Sequence, residues 1–179
     1  MGTSACPKRR PRGRTLHLID VENLVDEPGR GASGADAITA IRDALAAVGW
    51  RVGDQVRIAC NPGLASEFLW DVRDLGIDCH IRTASGDNGA DLALLDGITA
   101  DFVARRFDRM VVASGDGIFA DLVRAVRRAG VPVFVVSHSD RLSHRLRTSG
   151  AVIVRDPAHA PRCTARAITR TDHRARVAA

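Results

Sequence analysis

The chain has 179 residues, 45% of them hydrophobic, enough for one α/β domain with a buried core and short for two. No apolar run approaches the roughly 18 to 20 residues of a membrane span, and the basic N-terminus MGTSACPKRRPRGR has no apolar segment behind it, so the sequence reads as neither membrane-spanning nor exported. The net charge of +5 is uneven: residues 1–14 carry +5, residues 155–179 carry +4, and the body between them carries −4.

An acidic body between two arginine-rich tails suits a polyanion held by arms and presented to a cation-binding centre. Because Lys8 is the only lysine, a compositional bias toward arginine accounts for the tails equally well. Cys6, Cys60, Cys79 and Cys163 form no Cys-x-x-Cys pair, which fits neither a zinc knuckle nor a disulfide framework and points to a reducing cytoplasm.

In chain order, the first apolar run is TLHLID (15–20), the pattern of a strand buried on both faces. A Gly/Pro-containing loop is expected next. Ile38, Ile41, Leu45 and Val48 then predict a helix over 35–48 that stops at Gly49. QVRIAC (55–60) reads as a second strand, Phe68, Leu69, Val72 and Leu75 as the stripe of a second helix, and IDCHI (77–81) as a third strand. After SGDNG (85–89), one long helix is expected over 90–106. MVVAS (110–114) is the fourth strand, and Phe119, Leu122, Val123 and Val126 mark the following helix. VPVFVV (131–136) is the fifth strand, before a short helix at 140–148 and a closing strand at 151–154. Alternating strands and helices of these lengths imply right-handed βαβ units and a doubly wound parallel sheet over 15–154, with 1–14 and 155–179 as unpacked basic tails.

In such a sheet the ligand site lies beyond the carboxyl ends of the strands. Asp20 ends the first strand in LIDVENL, and Asp116 follows the fourth in VVASGDGIF. Asp91 opens the predicted long helix on the stripe of Leu95, Ile98 and Phe102, so it should face protein. Three carboxylates converging in a partly buried space repel one another unless a cation sits between them. With no thiolate pair and no histidine cluster, oxygen ligands favour Mg²⁺ or Mn²⁺, which binds phosphate and activates water. Structural roles compete with this. Asp116 stands where a helix N-cap would, and Asp91 where a first-turn dipole partner would. His17, His80, His138 and His144 fall in separate elements, and Trp50 and Trp70 read as packing residues.

LIDVENL, NGADLALL and VVASGDGIFADLVRAVRRAGVPVFVVS together resemble NYN domains, the PIN-like metal-dependent ribonucleases. The resemblance covers about residues 15–154. It implies a sheet ordered 3-2-1-4-5, with Asp20 and Asp116 on adjacent strands roughly 5 Å apart. It further implies Asp20, Asp91 and Asp116 as Mg²⁺ or Mn²⁺ ligands, Asn23 as a polar wall residue in the loop after strand 1, Ser114 as a substrate-side hydroxyl, and RNA as substrate. The family commonly carries another acid where this chain has Ile118, and Asp121, one turn on, is the nearest substitute as a ligand. Two other functions remain open: a non-catalytic RNA-binding or regulatory module with a degenerate acidic site, and a haloacid-dehalogenase-like phosphatase. The phosphatase lacks its Asp-x-Asp pair, since the chain reads Asp20-Val21-Glu22, and lacks a late lysine. The sequence leaves the oligomeric state open.

Overall fold

The computed structural model describes residues 13–25 and 32–157. Its centre is β1 (Thr15–Asp20), all six residues of which are buried. The sheet is built from β1, β2 (Gln55–Cys60), β3 (Cys79–Thr83), β4 (Arg109–Ala113), β5 (Val133–Ser137) and β6 (Val152–Arg155). All neighbours run parallel, in the order β3-β2-β1-β4-β5-β6. The expected order is therefore extended by one edge strand. From β1 the chain winds outward to β2 and β3, then crosses back to lay β4 on the other side of β1. The crevice between the carboxyl ends of β1 and β4 is thus the topological switch point.

Strand alternation divides the core in two. Ile19, Val56, Ile58, Cys60, Val111 and Ala113 point to one face. There α2 (Gly34–Ala47) and α3 (Pro62–Asp74) cover them with Ile41, Leu45, Phe68 and Val72. Leu16, Leu18, Ala59, Met110, Val112 and Val135 point to the other. This second face is covered by Leu94 of α4 (Gly89–Leu95), Val103 of α5 (Ala100–Arg106), Val123 and Val126 of α6 (Ala120–Arg128), and Leu146 of α7 (His144–Arg147). Helix starts follow capping chemistry. Ser33 and Asp36 form a reciprocal capping box for α2, and Asn61 caps α3 ahead of Pro62.

Several boundaries differ from expectation. The 90–106 helix is two helices, because Gly97 takes a left-handed φ of 70° and Thr99 starts α5 by accepting the Phe102 N–H. The single stripe joining Asp91 to Phe102 is therefore broken, although Asp91 is buried in the first turn of α4. The Gly/Pro loop after β1 opens with one helical turn, α1 (Val21–Val25), which carries Asn23. β3 begins two residues late, since Gly76 turns the chain with φ 66° and Ile77 packs into the core before the ladder starts. β5 likewise starts at Val133, after the Val131 N–H has closed back on Val126. Trp50 packs against the core, whereas Trp70 is 69% exposed with the Arg73 guanidinium over its ring.

The folded body reaches past Val154: the Asp156 N–H donates to the Ser137 carbonyl. Most of both basic tails, residues 1–12 and 158–179, lies outside the described residues. His17 has a structural part. Burial lowers its pKa, and the neutral ring sits 3.3 Å from Asp54 Oδ2. Burial works to raise Asp54, but hydrogen bonds from His17 and from the Thr15 and Arg51 N–H groups outweigh it and hold the carboxyl below its ordinary range.

Candidate active site

Strand parity places the site. Asp20 and Ser114 continue the alternation of Leu16/Leu18 on β1 and Met110/Val112 on β4, so both point to the face covered by α4 and α6. Each is buried, Asp20 to 4% exposure and Ser114 completely. The Ser114 hydroxyl donates to Asp20 Oδ2 at 3.0 Å, and the Asn23 N–H reaches Oδ1 at 3.3 Å. Both Asp20 oxygens are thereby oriented by neighbours from two separate elements.

Asp91 projects from α4 into the same space and is 7% exposed, with Oδ1 lacking any hydrogen-bond partner. Asp20 and Asp91 meet side chain to side chain. Burial first, and the Asp91 charge second, push the Asp20 carboxyl up to about 8. Asp91 is also raised, by burial and by the charges of Asp116 and Glu22, while its hydrogen bond with Asp20 pulls the other way. At neutral pH the pair therefore shares a proton, the expected state of two carboxylates forced together without a cation.

The remaining predicted residues are placed as follows. Asp116 does not hang from β4 across from Asp20. It lies beyond the strand end and caps the 3₁₀ turn Gly117–Phe119, its Oδ1 accepting the Ile118 N–H at 2.9 Å. The residue facing Asp20 is Ser114, the first after β4, and Asp116 reaches the centre through its field on Asp91. Asp121 stands apart: its two oxygens take Arg124 and Arg145 at 2.9 and 3.0 Å on the exposed surface. It is committed to arginines rather than to the acidic pair. Ile118 is partly buried against the core, so apolar packing occupies the position where an acid was expected. Asn23 is part of the framework, accepting the Gly115 N–H at 2.7 Å through its side chain and the Arg141 guanidinium at 2.8 Å through its carbonyl.

Glu22, which the sequence marks only as the residue that breaks an Asp-x-Asp pair, also belongs to the site's surroundings. Its carboxylate binds the backbone and side-chain amides of Asn61, which ties α1 to the start of α3, and its charge acts on Asp91. The signal was its spacing two residues after Asp20, within the first helical turn. The Cys60 thiol at the end of β2 is pushed up to about 12 by burial and by Glu22 and Asp20, which makes it a poor nucleophile.

Among the described residues, no three His, Cys, Asp or Glu side chains stand as a group that could hold a metal ion. The donor set nonetheless fits one kind of cation. Mg²⁺ and Mn²⁺ prefer oxygen, and Mg²⁺ keeps several waters and is held by one or two carboxylates with substrate phosphate. Asp20 and Asp91 supply two carboxylates, one with an unpartnered buried oxygen.

A doubly wound parallel sheet with acids at its switch point is an α/β architecture that carries its ligand site at the strand ends. The NYN domain model matches residues 17–153, and the chain belongs to that family, whose members are generally nucleases and typically use divalent metals. Among solved structures, the fold is similar to a protein of unknown function from Vibrio parahaemolyticus RIMD 2210633. The two share 18% identity over 83% of this chain and 98% of that one, with a TM-score of 0.54. No curated protein matches the chain. Among the described residues, no helix is long and apolar enough to cross a membrane.

Proposed function

We propose that the protein is a metal-dependent ribonuclease that hydrolyses RNA phosphodiester bonds. The observation that carries this is the buried Asp20–Asp91 contact at the sheet's switch point, a repulsive pair that a divalent cation would relieve. Asp20 and Asp91 would hold the Mg²⁺ or Mn²⁺ ion, with Asp116 adding negative potential. When bound, such an ion supplies a more acidic water and a Lewis acid for the phosphoryl oxygen. Ser114 and Asn23 fix the Asp20 carboxylate through Oδ2 and Oδ1, which would hold it in one orientation toward the ion. Arg141 and Gly115 hold Asn23 in turn. Arginines of residues 1–14 and 155–179 would add non-specific hold on the RNA backbone. In this reading the protein works in the reducing cytoplasm, where Cys60 and Cys79 remain thiols.

A second reading, a binding module without catalysis, draws on Ile118, which packs apolar surface where a further acid was expected. Incubation of the pure protein with labelled single-stranded and structured RNAs in Mg²⁺, Mn²⁺ or EDTA decides between them. Cleavage in metal that stops in EDTA is the expected result. Binding without cleavage across the panel selects the module, and cleavage unaffected by chelator rejects the metal mechanism.

A further inference from the structure

The same face of the sheet that carries Asp20 carries a second chemistry at its β3 edge. Arg57 on β2 and Arg82 on β3 share the orientation of Ala59, on the side covered by α4, because Ile58 and Ile81 point to the opposite core. The register pairs Arg57 with His80 and Ala59 with Arg82, so the two arginines are diagonal neighbours. α4 is short and leaves this edge partly open. Arg82 keeps 40% of its side chain exposed, and His80 is exposed beside it.

The cations here outnumber the acids. Asp96, 71% exposed at the end of α4, binds the Arg82 guanidinium at 2.7 Å. Arg57 is left with the Asp96 backbone carbonyl at 3.2 Å. The Phe102 ring is approached by the guanidinium groups of Arg57, at 6.0 Å, and of Arg106, at 5.2 Å. Burial and the neighbouring Arg82 charge both act against the Arg57 cation. The carbonyls at the end of α4 take a bond from both guanidinium groups, Arg82 through Ala93 and Arg57 through Asp96, leaving further N–H donors on each. Arg82 and Arg57 thus meet at Asp96, which offers one carboxylate, and Arg106 adds a further exposed cation on the Phe102 ring that Arg57 also approaches.

We infer that Arg57, Arg82 and Arg106 form a track for the phosphate backbone of the RNA strand that enters the acidic centre. α4 links the two features directly, with Asp91 in its first turn and the Arg82 contacts at Ala93 and Asp96, about 3–8 Å further along the helix. A strand lying along α4 would have its scissile phosphate at Asp20 and Asp91 and an adjacent stretch of backbone on the arginines. Charge complementarity sets the occupant: an electropositive edge beside an electronegative centre suits a phosphodiester chain that needs a cation at one point and guanidinium groups at the next.

The inference rests on the ribonuclease reading, and the experiment separates their failures. Binding of a fluorescent single-stranded RNA is measured by anisotropy in EDTA over a range of salt, for wild type, the double variant Arg57→Gln/Arg82→Gln, its Lys counterpart, and Asp96→Asn. The double Gln variant should bind on the order of tenfold more weakly, and its log–log salt slope should fall by about 1.4, two phosphate contacts at about 0.7 each for a single strand. The Lys counterpart should keep most of the slope. Asp96→Asn, which replaces the carboxylate paired with Arg82 by a neutral amide of the same shape, should bind more tightly than wild type. If wild type binds RNA and the Gln and Asp96→Asn variants match it in affinity and slope, the track is overturned and the ribonuclease reading stands. No RNA binding by wild type in EDTA also overturns the track, while the ribonuclease reading stands or falls separately on cleavage in Mn²⁺.

Discussion

Asp20→Asn is expected to abolish metal-dependent RNA cleavage while leaving the metal-free protein at least as stable as wild type. The activity loss should exceed the roughly 10- to 100-fold typical of residues that only orient a metal ligand. The stability result follows from the charge. Asp20 is buried against Asp91, and its carboxyl is raised from 3.8 to about 8. Folded protein therefore keeps a proton that unfolded protein releases above about pH 4. Stability from this group is fully present below pH 4 and is lost as pH rises toward 8. Asn does not titrate. In EDTA, the melting temperature of Asp20→Asn should gain on wild type from pH 4 to pH 8, as read by thermal melts at several pH values. A variant that melts well below wild type throughout would make Asp20 a hydrogen-bond hub rather than half of a repulsive pair.

Gly115→Ala should be the most damaging single methyl near the site. Its φ is not in the left-handed region; the obstacle is space. A Cβ at Gly115 would stand 2.4 Å from the Arg141 carbonyl oxygen, 2.8 Å from its carbon, and 2.7 Å from Ser137 Oγ. Two of these are backbone atoms, which cannot swing aside. Gly115 also donates to Asn23 and accepts the Ser143 N–H, so its loop joins β4 to α1 and to the start of α7. Overpacking of this kind costs about 1–3 kcal/mol, which for a domain of this size lowers the melting temperature by about 3–10 °C. Displacement of Ser114 and Asp116 should cut cleavage by at least about tenfold. Gly117→Ala is the control. Its nearest contacts are side-chain atoms, Ser143 Oγ at 3.3 Å and Arg145 Cδ at 3.4 Å, so it should cost much less. Equal melting temperatures for Gly115→Ala and wild type would show that this loop is loose.

Much of the fold is readable in the chain because buried parallel strands leave unbroken apolar runs. TLHLID and QVRIAC coincide with β1 and β2 residue for residue. Expectation and structure part where two signals compete in the chain. Apolar spacing carries a helical period through 90–106, and only Gly97 followed by Thr99 betrays the break. At the site, Asp20 and Asp91 are legible because a carboxylate ending a buried strand, or on the buried side of a helix, has little structural reason to be there. The position of Asp116 does not separate a cap from a ligand, and in the structure it is a cap that also acts on Asp91. Asp121 was drawn in by spacing alone, and the arginines that occupy it lie 3 and 24 residues away. Arg57 and Arg82 could not be read together, because their proximity depends on the β2–β3 register.

A metal-dependent ribonuclease of this design requires that Asp20 and Asp91 hold a divalent cation. Thermal melts with Mn²⁺, at a free concentration ~100 times its dissociation constant, should show wild type stabilised by about 2.7 kcal/mol. Asp121→Asn should rise as much as wild type, while Asp20→Asn and Asp91→Asn should rise little. Equal shifts in all four proteins, or none in wild type, would contradict a cation site at this pair.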